Sequence, residues 1–438
     1  MEPMTDDEQF SKDQPEVVAP ALAVAEPYLS QNALHFIDFR LLLSGSGLAI
    51  FGQQMLAVAI GWQLYIQTNS ALVLGGVGLA QVIPLILFFL PAGYIADRVN
   101  RKYIVMVAQL VTMVASLCLA LIASMHGPLP AIYGCLAAIG GAQSFSQPAN
   151  SALVSQVIPE QVYENAMRWR SSMIQLAAVI GPAAGGFLIG LFQGATPVYL
   201  LSSFFFLIFA SLLLFIHVRP QKSPTGEGRK LSSLISGIQF LGQTKVMLAA
   251  ITLDLFAVLF GGAVALLPIY ATSILHAGPI GLGWLQAADS VGGIVMALFL
   301  ARRPPFKRAG PTLLMAVVGF GLATIVFGLS HWFWLSFLSL MFIGAFDSIS
   351  VVIRSTLALV RTPDEMRGRV SAVNSLFIGT SNQLGGFESG LAAQFLGPVV
   401  AVVAGGIGTL LVVLVVAGIW PDIRHLTTLR ETSQEPAN

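Results

Sequence analysis

The chain has 438 residues, of which 55% are hydrophobic and 10% are charged. Soluble globular proteins carry about 25% charged residues, so this composition excludes an ordinary soluble domain and indicates a polytopic membrane protein. The 22 Lys and Arg residues nearly balance the 21 Asp and Glu residues, so the net charge gives no indication of a nucleic-acid partner. Cys118 and Cys135 are the only cysteines, and their apolar surroundings argue against a disulfide framework or a thiolate metal site.

Six long stretches with few or no charges follow an acidic, proline-containing N-terminal segment. They cover 41–96, 103–159, 171–218, 246–301, 309–353 and 370–421. Each is long enough for two membrane spans of about 20 residues. Turn-forming sequences interrupt them near the middle, in order QTNS, HGPLP, QGATP, HAGP, LSHW and LGP. Six hairpins predict twelve transmembrane helices.

The distribution of basic residues predicts the orientation of these helices. The six hairpin turns contain no Lys or Arg, and all 22 basic residues lie in the tails, between hairpins or at the helix ends beside those connections. The positive-inside rule therefore places both termini in the cytoplasm.

The longest connection divides the chain into six helices plus six. It opens with Pro, Gly, Ser and basic residues and ends in LSSLISGIQFL, whose apolar spacing indicates a short interfacial helix. The predicted fold class is all-α integral membrane, with two pseudo-symmetric six-helix bundles. The predicted division is a disordered cytoplasmic tail (1–37), the first bundle (38–217), a cytoplasmic linker (218–245), the second bundle (246–420) and a second tail (421–438).

The two halves show the signs of an internal duplication. SALVSQVIPEQV, which begins at Ser151, matches STLALVRTPDEM, which begins at Ser355, at an offset of 204 residues. The same offset places Gly186 on Gly390. Apolar hairpins can resemble one another by composition alone, but the proline and following acid that both segments share favour duplication. Parallel repeats of this kind bind solute near the membrane midplane and alternate access by rocking one half against the other.

Four acidic residues interrupt the predicted spans, and all lie in the second half: Asp254, Asp289, Asp347 and Glu388. A charge at mid-bilayer costs at least about 2.5–3.5 kcal/mol, so ionisable groups there indicate function. Asp347 is our first choice for a proton-accepting or cation-facing carboxylate. Arg354 lies two helical turns further on the same helix face. Burial favours the neutral form of Asp347, whereas the nearby positive charge favours its charged form. The alternative is a structural ion pair between Asp347 and Arg354.

Neutral polar residues of the first half predict the opposite wall of a wet cavity: Gln53, Gln54, Gln143, Gln147 and Asn150. The last three follow helical spacing and form one stripe. Four aromatic residues are candidates for stacking on a ring-bearing solute, with membrane-belt or packing roles as the alternative: Trp62, Tyr65, Phe256 and Phe260.

The segment GYIADRVNRK, from Gly93 to Lys102, resembles the loop between helices two and three of the major facilitator superfamily. The resemblance implies a gating loop formed by Gly93, Asp97, Arg98, Arg101 and Lys102. Asp97 is expected to cap a helix or to pair with a basic residue across the two halves, although the basic residues alone would also enforce topology. Asn100 stands where the family motif has glycine, and we expect it to adopt the left-handed turn conformation.

A second motif, VIGPAAGGFLIG, resembles the fifth-helix antiporter motif of the drug-exporting members, through Gly181, Pro182, Gly185 and Gly186. In the family this motif opposes proton leak and favours export; plain helix packing is the alternative. The segment RGRVSAVNSLFIGTSNQLGGFESG is similar to the enterobactin-exporter-like branch, also called transmembrane secretion effectors. The basic residue that many proton-coupled relatives carry in helix four is missing from AIYGCLAAIGGAQSFSQPAN.

These observations predict a secondary active exporter of a small amphipathic organic solute, siderophore- or drug-like, driven by proton antiport. We expect a monomer in the bacterial inner membrane, with no cofactor and no metal. Uptake, facilitated diffusion and lysophospholipid-type translocation are the alternatives. A membrane enzyme would need a motif such as HExxH or DDxxD, and a channel would need a filter motif; the sequence contains neither.

Overall fold

The computed structural model describes residues 32–218, 231–304 and 306–426, and every regular element in these ranges is a helix. Twelve long helices follow in chain order: α1 (Ile37–Thr68), α2 (Ala71–Arg98), α3 (Arg101–Met125), α4 (Leu129–Val157), α5 (Tyr163–Phe192), α6 (Thr196–Phe215), α7 (Lys245–Phe260), α8 (Gly278–Ala301), α9 (Ala309–Leu329), α10 (Phe333–Arg361), α11 (Asp364–Leu396) and α12 (Pro398–Ile419). A connector helix, Leu231–Gln243, precedes α7. The predicted fold class, an all-α membrane protein with twelve helices, is confirmed.

Ten of the long helices, all except α4 and α11, are apolar enough to cross a membrane by length and composition. The two exceptions carry the polar residues that line a cavity described below, so their lower hydropathy follows from the surface they face.

The six predicted turns all fall between consecutive helices, on one side of the bundle that we call the hairpin side. Four of these turns contain a residue other than glycine in the left-handed conformation, at Asn69, His126, Gln193 and His276, with φ between 47° and 56°. Gly397 has φ 84° between α11 and α12. A left-handed residue lets the chain leave a helix while its backbone N–H bonds to a carbonyl of the last turn. The opposite side, which carries the inter-hairpin connections, is called the linker side.

Helices of the first half pack as α1 with α5 and α6, α2 with α4, and α3 with α4 and α6. In the second half, α8 packs with α10, α9 with α10 and α12, and α7 with α11 and α12. The halves meet chiefly along two seams, α2 with α11 and α5 with α8. In the six-plus-six repeat, α2 corresponds to α8 and α5 corresponds to α11. The two seams are therefore equivalent, as a two-fold relation between the halves requires.

Individual contacts repeat at the 204-residue offset. A Cβ atom built on Gly390 would lie 2.6 Å from Gly75 Cα, and one built on Gly186 would lie 2.4 Å from the carbonyl oxygen of Pro279. Gly186 and Gly390 are offset mates, and so are Gly75 and Pro279. The duplication that the sequence indicates therefore recurs in the close contacts of both seams.

The seventh span is broken in the half nearer the hairpin side. α7 ends at Phe260 and is followed by a 3-10 turn (Ala263–Leu266), a short α-turn (Leu267–Ile269) and a π-helical turn (Tyr270–Ile274). Irregular backbone at membrane depth occurs where it lines a cavity or is buried in protein.

Much of the predicted tails and linker, namely 1–31, 219–230 and 427–438, lies outside the described residues. The connector helix lies where the sequence predicts a helix. Its attachment to the membrane surface and the five predicted chain divisions stay predictions.

Candidate functional site

A cavity of about 440 Å³, which we call the central cavity, lies between the two halves. Helices α1 and α2 form one wall, and α7 to α11 with the broken part of the seventh span form the other. Its polar lining consists of Gln81, Gln286, Asp289, Asp347, Asn382 and Gln383. The two carboxylates therefore face a space that both halves enclose.

A second cavity, of about 510 Å³, extends from there toward the linker side between α2, α4 and α11, and we call it the seam cavity. Gln143 and Gln147 of α4 line it, as do Ser371 and Ser375 of α11. These side chains lower the hydropathy of α4 and α11, the two long helices that are not among the ten apolar spans.

Gln81 and Gln383 line both cavities. Gln383 Nε2 donates a hydrogen bond to Gln81 Oε1 at 2.9 Å, from α11 of one half to α2 of the other. This bond marks the boundary between the central and seam cavities, so it must break if the halves separate there.

The hairpin side is closed by contacts between the halves. In addition to the glycine contacts of the two seams, the Tyr65 and Ser273 hydroxyls are hydrogen-bonded at 2.7 Å. Ser70 Oγ donates to Gln394 Oε1 at 3.1 Å.

The ion-pair partner of Arg354 is Asp254, on α7, with 2.5 Å between Nη1 and Oδ2. Both side chains are less than one-tenth exposed. Arg354 Nε also donates to Ser350 Oγ at 3.2 Å on its own helix. The predicted alternative, an ion pair between Asp347 and Arg354 within α10, is therefore wrong, because the guanidinium reaches across to Asp254 of α7 instead.

Asp289 and Asp347 have no ion-pair partner among the described basic residues. The close packing of α8 on α10 brings them to the same part of the central cavity. Asp347 interacts electrostatically with Asp254 and Asp289, and Arg354 interacts with both Asp254 and Asp347. The result is one guanidinium among three carboxylates, of which one is directly paired and two face the cavity.

The remaining acid, Glu388 on α11, is half-buried, and its Oε2 accepts a 3.4 Å contact from the neighbouring Ser389 hydroxyl. Gln53 and Asn150 line a third cavity, inside the first half. Gln54 packs against Gly181 of α5.

The four predicted aromatic residues lie in different surroundings. Trp62 packs against the hydrophobic core, and Tyr65 is buried in the hairpin-side contact between the halves. Phe256 is 38% exposed at the outer surface and stacks on Phe260 at 6.3 Å between ring centroids. Phe260 also lies against glycines of α12.

The predicted gating loop joins α2, which contains Gly93, to α3, which begins at Arg101. The guanidinium of Arg98 lies 4.2 Å from the centre of the Tyr94 ring. Lys102 Nζ donates hydrogen bonds to the carbonyl oxygens of Leu214 and Ile216 at 3.0 and 2.9 Å, which ties the loop to the end of α6. The side chain of Asp97 lies outside the described structure, so its gating role stays a prediction.

The expected left-handed conformation of Asn100 is wrong. Its φ is −57° and its ψ is 118°. Asn100 Oδ1 instead accepts a hydrogen bond from the Lys102 backbone N–H at 3.0 Å and caps the start of α3. Asparagine is favoured here because its short side chain satisfies an orphan N–H of the first turn.

The helix-five motif packs on both sides of α5. Gly181 and Gly185 face α1, where added Cβ atoms would lie 2.6 Å from Gln54 Cβ and 3.1 Å from Met55 Cα. Gly186 faces α8 of the other half, and Pro182 lies within the helix beside the same seam.

Several residues of these cavities are not predicted by the sequence reasoning. Gln81, Gln286 and Gln383 are single amides in long helices, and a search for any polar residue in an apolar run would find them. In the sequence Arg170 marks the start of a charge-free stretch, yet the residue lines the third cavity, and its Nη1 atom is buried.

The sequence model of one protein family, the Major Facilitator Superfamily, matches residues 42–381. The multidrug efflux pump Tap of Mycolicibacterium fortuitum is 25% identical over 378 residues, covering 84% of this chain and 90% of that protein. The enterobactin exporter EntS of Shigella flexneri is 25% identical over 400 residues, covering 88% and 92%.

Solved structures with this fold include a bacterial homologue of the human lysosomal transporter Spinster, inward-facing and occupied. Its TM-score is 0.68 at 14% identity, covering 92% of this chain and 99% of that one. The nucleoside transporter NupG has a TM-score of 0.62 at 13% identity, covering 87% and 99%. The family match spans most of the sequence, and the chain belongs to the Major Facilitator Superfamily.

Proposed function

We propose that this transporter exports a small amphipathic organic solute, siderophore- or drug-like, in exchange for protons. Alternating access takes place around the central cavity, in the inner membrane of a bacterium, with both termini in the cytoplasm. The supporting observation is that Asp289 and Asp347, two carboxylates with no ion-pair partner among the described basic residues, line a cavity enclosed by both halves.

The proposed coupling depends on the different surroundings of the three aspartates. Asp254 is held by Arg354, so its charge is already compensated and it is the weaker candidate for proton exchange. Asp347 interacts electrostatically with Arg354 but forms no ion pair with it. The carboxylate of Asp289 has the same charge as that of Asp347 and interacts with it electrostatically. Two carboxylates that share one cavity, with no ion-pair partner among the described basic residues, repel each other, which favours binding of a proton or a cationic group. Solute and proton would then compete for one site, as antiport requires.

Export is favoured by the two relatives, whose printed names describe an efflux pump and an exporter and which match over most of their length. The apolar rim of the central cavity, which includes Val77, Ile343 and Phe320, suits the nonpolar part of such a solute.

The test is the pH change inside proteoliposomes on addition of siderophores, cationic drugs or lysolipids, together with uptake of the labelled compound. We expect one of these classes to evoke a pH change that Asp347→Asn abolishes. Glu164→Gln is the control, because Glu164 is an exposed residue that pairs with Arg168 on the surface of α5. Survival of the signal in Asp289→Asn would assign the proton to Asp347.

The second candidate is uptake or facilitated diffusion without proton coupling. Two observations favour it. The Gln81–Gln383 pair between the central and seam cavities carries no titratable group, and the sequence of α4 contains no basic residue. Movement of the labelled compound with no proton flux, unchanged in Asp347→Asn, would make the antiport mechanism wrong and support this candidate.

A further inference from the structure

The third cavity, of about 370 Å³, lies inside the first half among α1, α3, α4, α5 and α6, and we call it the N-half cavity. Its polar lining includes Gln53, Gln109, Gln143, Gln147, Asn150 and Arg170. Phe206 and Phe209 of α6 and Ile174 of α5 form its apolar floor. Ligand sites commonly combine an apolar wall with a few polar groups in this way.

Arg170 is the one charged side chain among the described residues of this lining. Its Nη1 atom is buried and has no hydrogen-bond partner, and no described carboxylate lies within ion-pair distance. Arg168, two residues earlier, instead pairs with Glu164 on the surface. The residue as a whole is partly exposed, but a guanidinium nitrogen that is buried without an acceptor is costly, so the burial of Nη1 needs an explanation.

A second unpaired atom belongs to another residue of the same lining. Gln109 Oε1, from α3, is buried without a donor. An amide can present either its oxygen or its NH₂ group to a ligand. Two helices of the first half, α3 and α5, therefore each supply this lining with a residue that has one unsatisfied polar atom.

The N-half cavity adjoins the seam cavity across α4. Gln143, Gln147 and Ser151 line both. A solute that enters between the halves can therefore reach the wall that Arg170 supplies without leaving the polar stripe of α4.

We propose that the N-half cavity binds the anionic group of the transported organic solute, with Arg170 as its counter-charge; the assignment rests on the proposed transport function. The carboxylates of the central cavity and the guanidinium of the N-half cavity together select a solute that carries an anionic group at one end. Snorkelling of Arg170 to the membrane surface would be the structural explanation, but it does not account for the burial of Nη1.

The experiment is equilibrium dialysis of the purified full chain against labelled benzenesulfonate, its neutral isostere benzenesulfonamide, and inorganic sulfate. We expect wild type to bind benzenesulfonate at least about tenfold more tightly than benzenesulfonamide, as a charge-assisted hydrogen bond supplies. Arg170→Gln should remove this preference, and Arg170→Lys should retain part of it. Arg168→Gln is the matched control and should keep it in full.

Equal binding of the sulfonate and the sulfonamide by wild type would overturn the proposal, and so would a preference that survives in Arg170→Gln. Equal affinity for sulfate and benzenesulfonate would overturn the assignment to an organic solute. Arg170→Gln should not lower the melting temperature of the unliganded protein, because it removes an unpaired charge; a clear loss would indicate a structural role. If that variant does not fold, Asn150→Leu, which fills the cavity from α4, must abolish the preference, and a retained preference overturns the proposal.

Dialysis needs no proton gradient, so the two proposals fail separately. An intact sulfonate preference with no substrate-evoked proton flux would contradict antiport alone. Proton-coupled transport without the sulfonate preference would contradict the anion site alone.

Discussion

Gly390→Ala should weaken the closed hairpin side of the protein. The new Cβ atom would lie 2.6 Å from Gly75 Cα, 2.8 Å from Gly75 N and 2.7 Å from the Ala71 carbonyl oxygen. All three are backbone atoms of α2, in the other half, so no flexible side chain can move aside to make room.

The expected cost can be taken from overpacking in tightly packed interiors, which is typically about 1–3 kcal/mol. The contact exists only while the halves touch on this side, so the cost falls on the closed conformation. It should raise the population that is open on the hairpin side by roughly 5- to 150-fold.

The assay is labelling of Val77→Cys, which lines the central cavity, in a background with Cys118 and Cys135 replaced by Ser. A membrane-impermeant maleimide is added to whole cells, whose outer face is the predicted hairpin side. If labelling occurs through the transiently open conformation, its rate should rise with the population of that state.

Gly134→Ala is the control. It makes the same change within α4, but nothing lies within 4 Å of its added Cβ atom, so it tests the effect of helix propensity alone. Equal labelling rates in Gly390→Ala and Gly134→Ala, both at the wild-type value, would refute the reasoning that this contact holds the hairpin side closed.

Three other changes test contacts of the helices. Asp254→Asn should cost about 3–5 kcal/mol of stability because it leaves Arg354 buried and unpaired. Adding Arg354→Met should restore most of the melting temperature, and a double variant no more stable than the single one would contradict this. Gln81→Leu and Gln383→Leu should each destabilise the purified protein by about 1 kcal/mol, with little further loss when combined, and fully additive losses would exclude coupling through their hydrogen bond. Lys102→Met should cost about 1–2 kcal/mol by freeing two carbonyls at the end of α6, so an unchanged melting temperature would show that the tie carries no stability.

The sequence predicts the twelve helices because hydropathy, turn residues and charge placement depend only on local sequence and on the bilayer. The repeat offset even pairs Gly186 with Gly390, whose contacts are equivalent. Helical spacing also predicts which residues of α4 share a polar face.

Partners across helices could not be predicted in the same way. Arg354 and Asp347 share a helix face, yet the guanidinium pairs with Asp254 because α7 and α10 happen to approach there. Similarly, Asn100 stands in place of the motif glycine because its side chain caps α3, not because its backbone adopts a left-handed conformation. The identity of this one residue does not distinguish between these two roles. Which ion pairs form depends on packing between helices distant in sequence.

The broken seventh span has a consequence for the second half. Gly261 and Gly262 interrupt its regular hydrogen bonding beside the central cavity, so this strip of amides should exchange with deuterium faster than the amides of α8 or α10. The segment beyond the break also carries Ser273, a contact of the closed hairpin side. Local fluctuation of a few residues can therefore loosen that contact while the five remaining helices of the half stay rigid. The first half has no equivalent joint among its described helices, because α1 runs unbroken from Ile37 to Thr68.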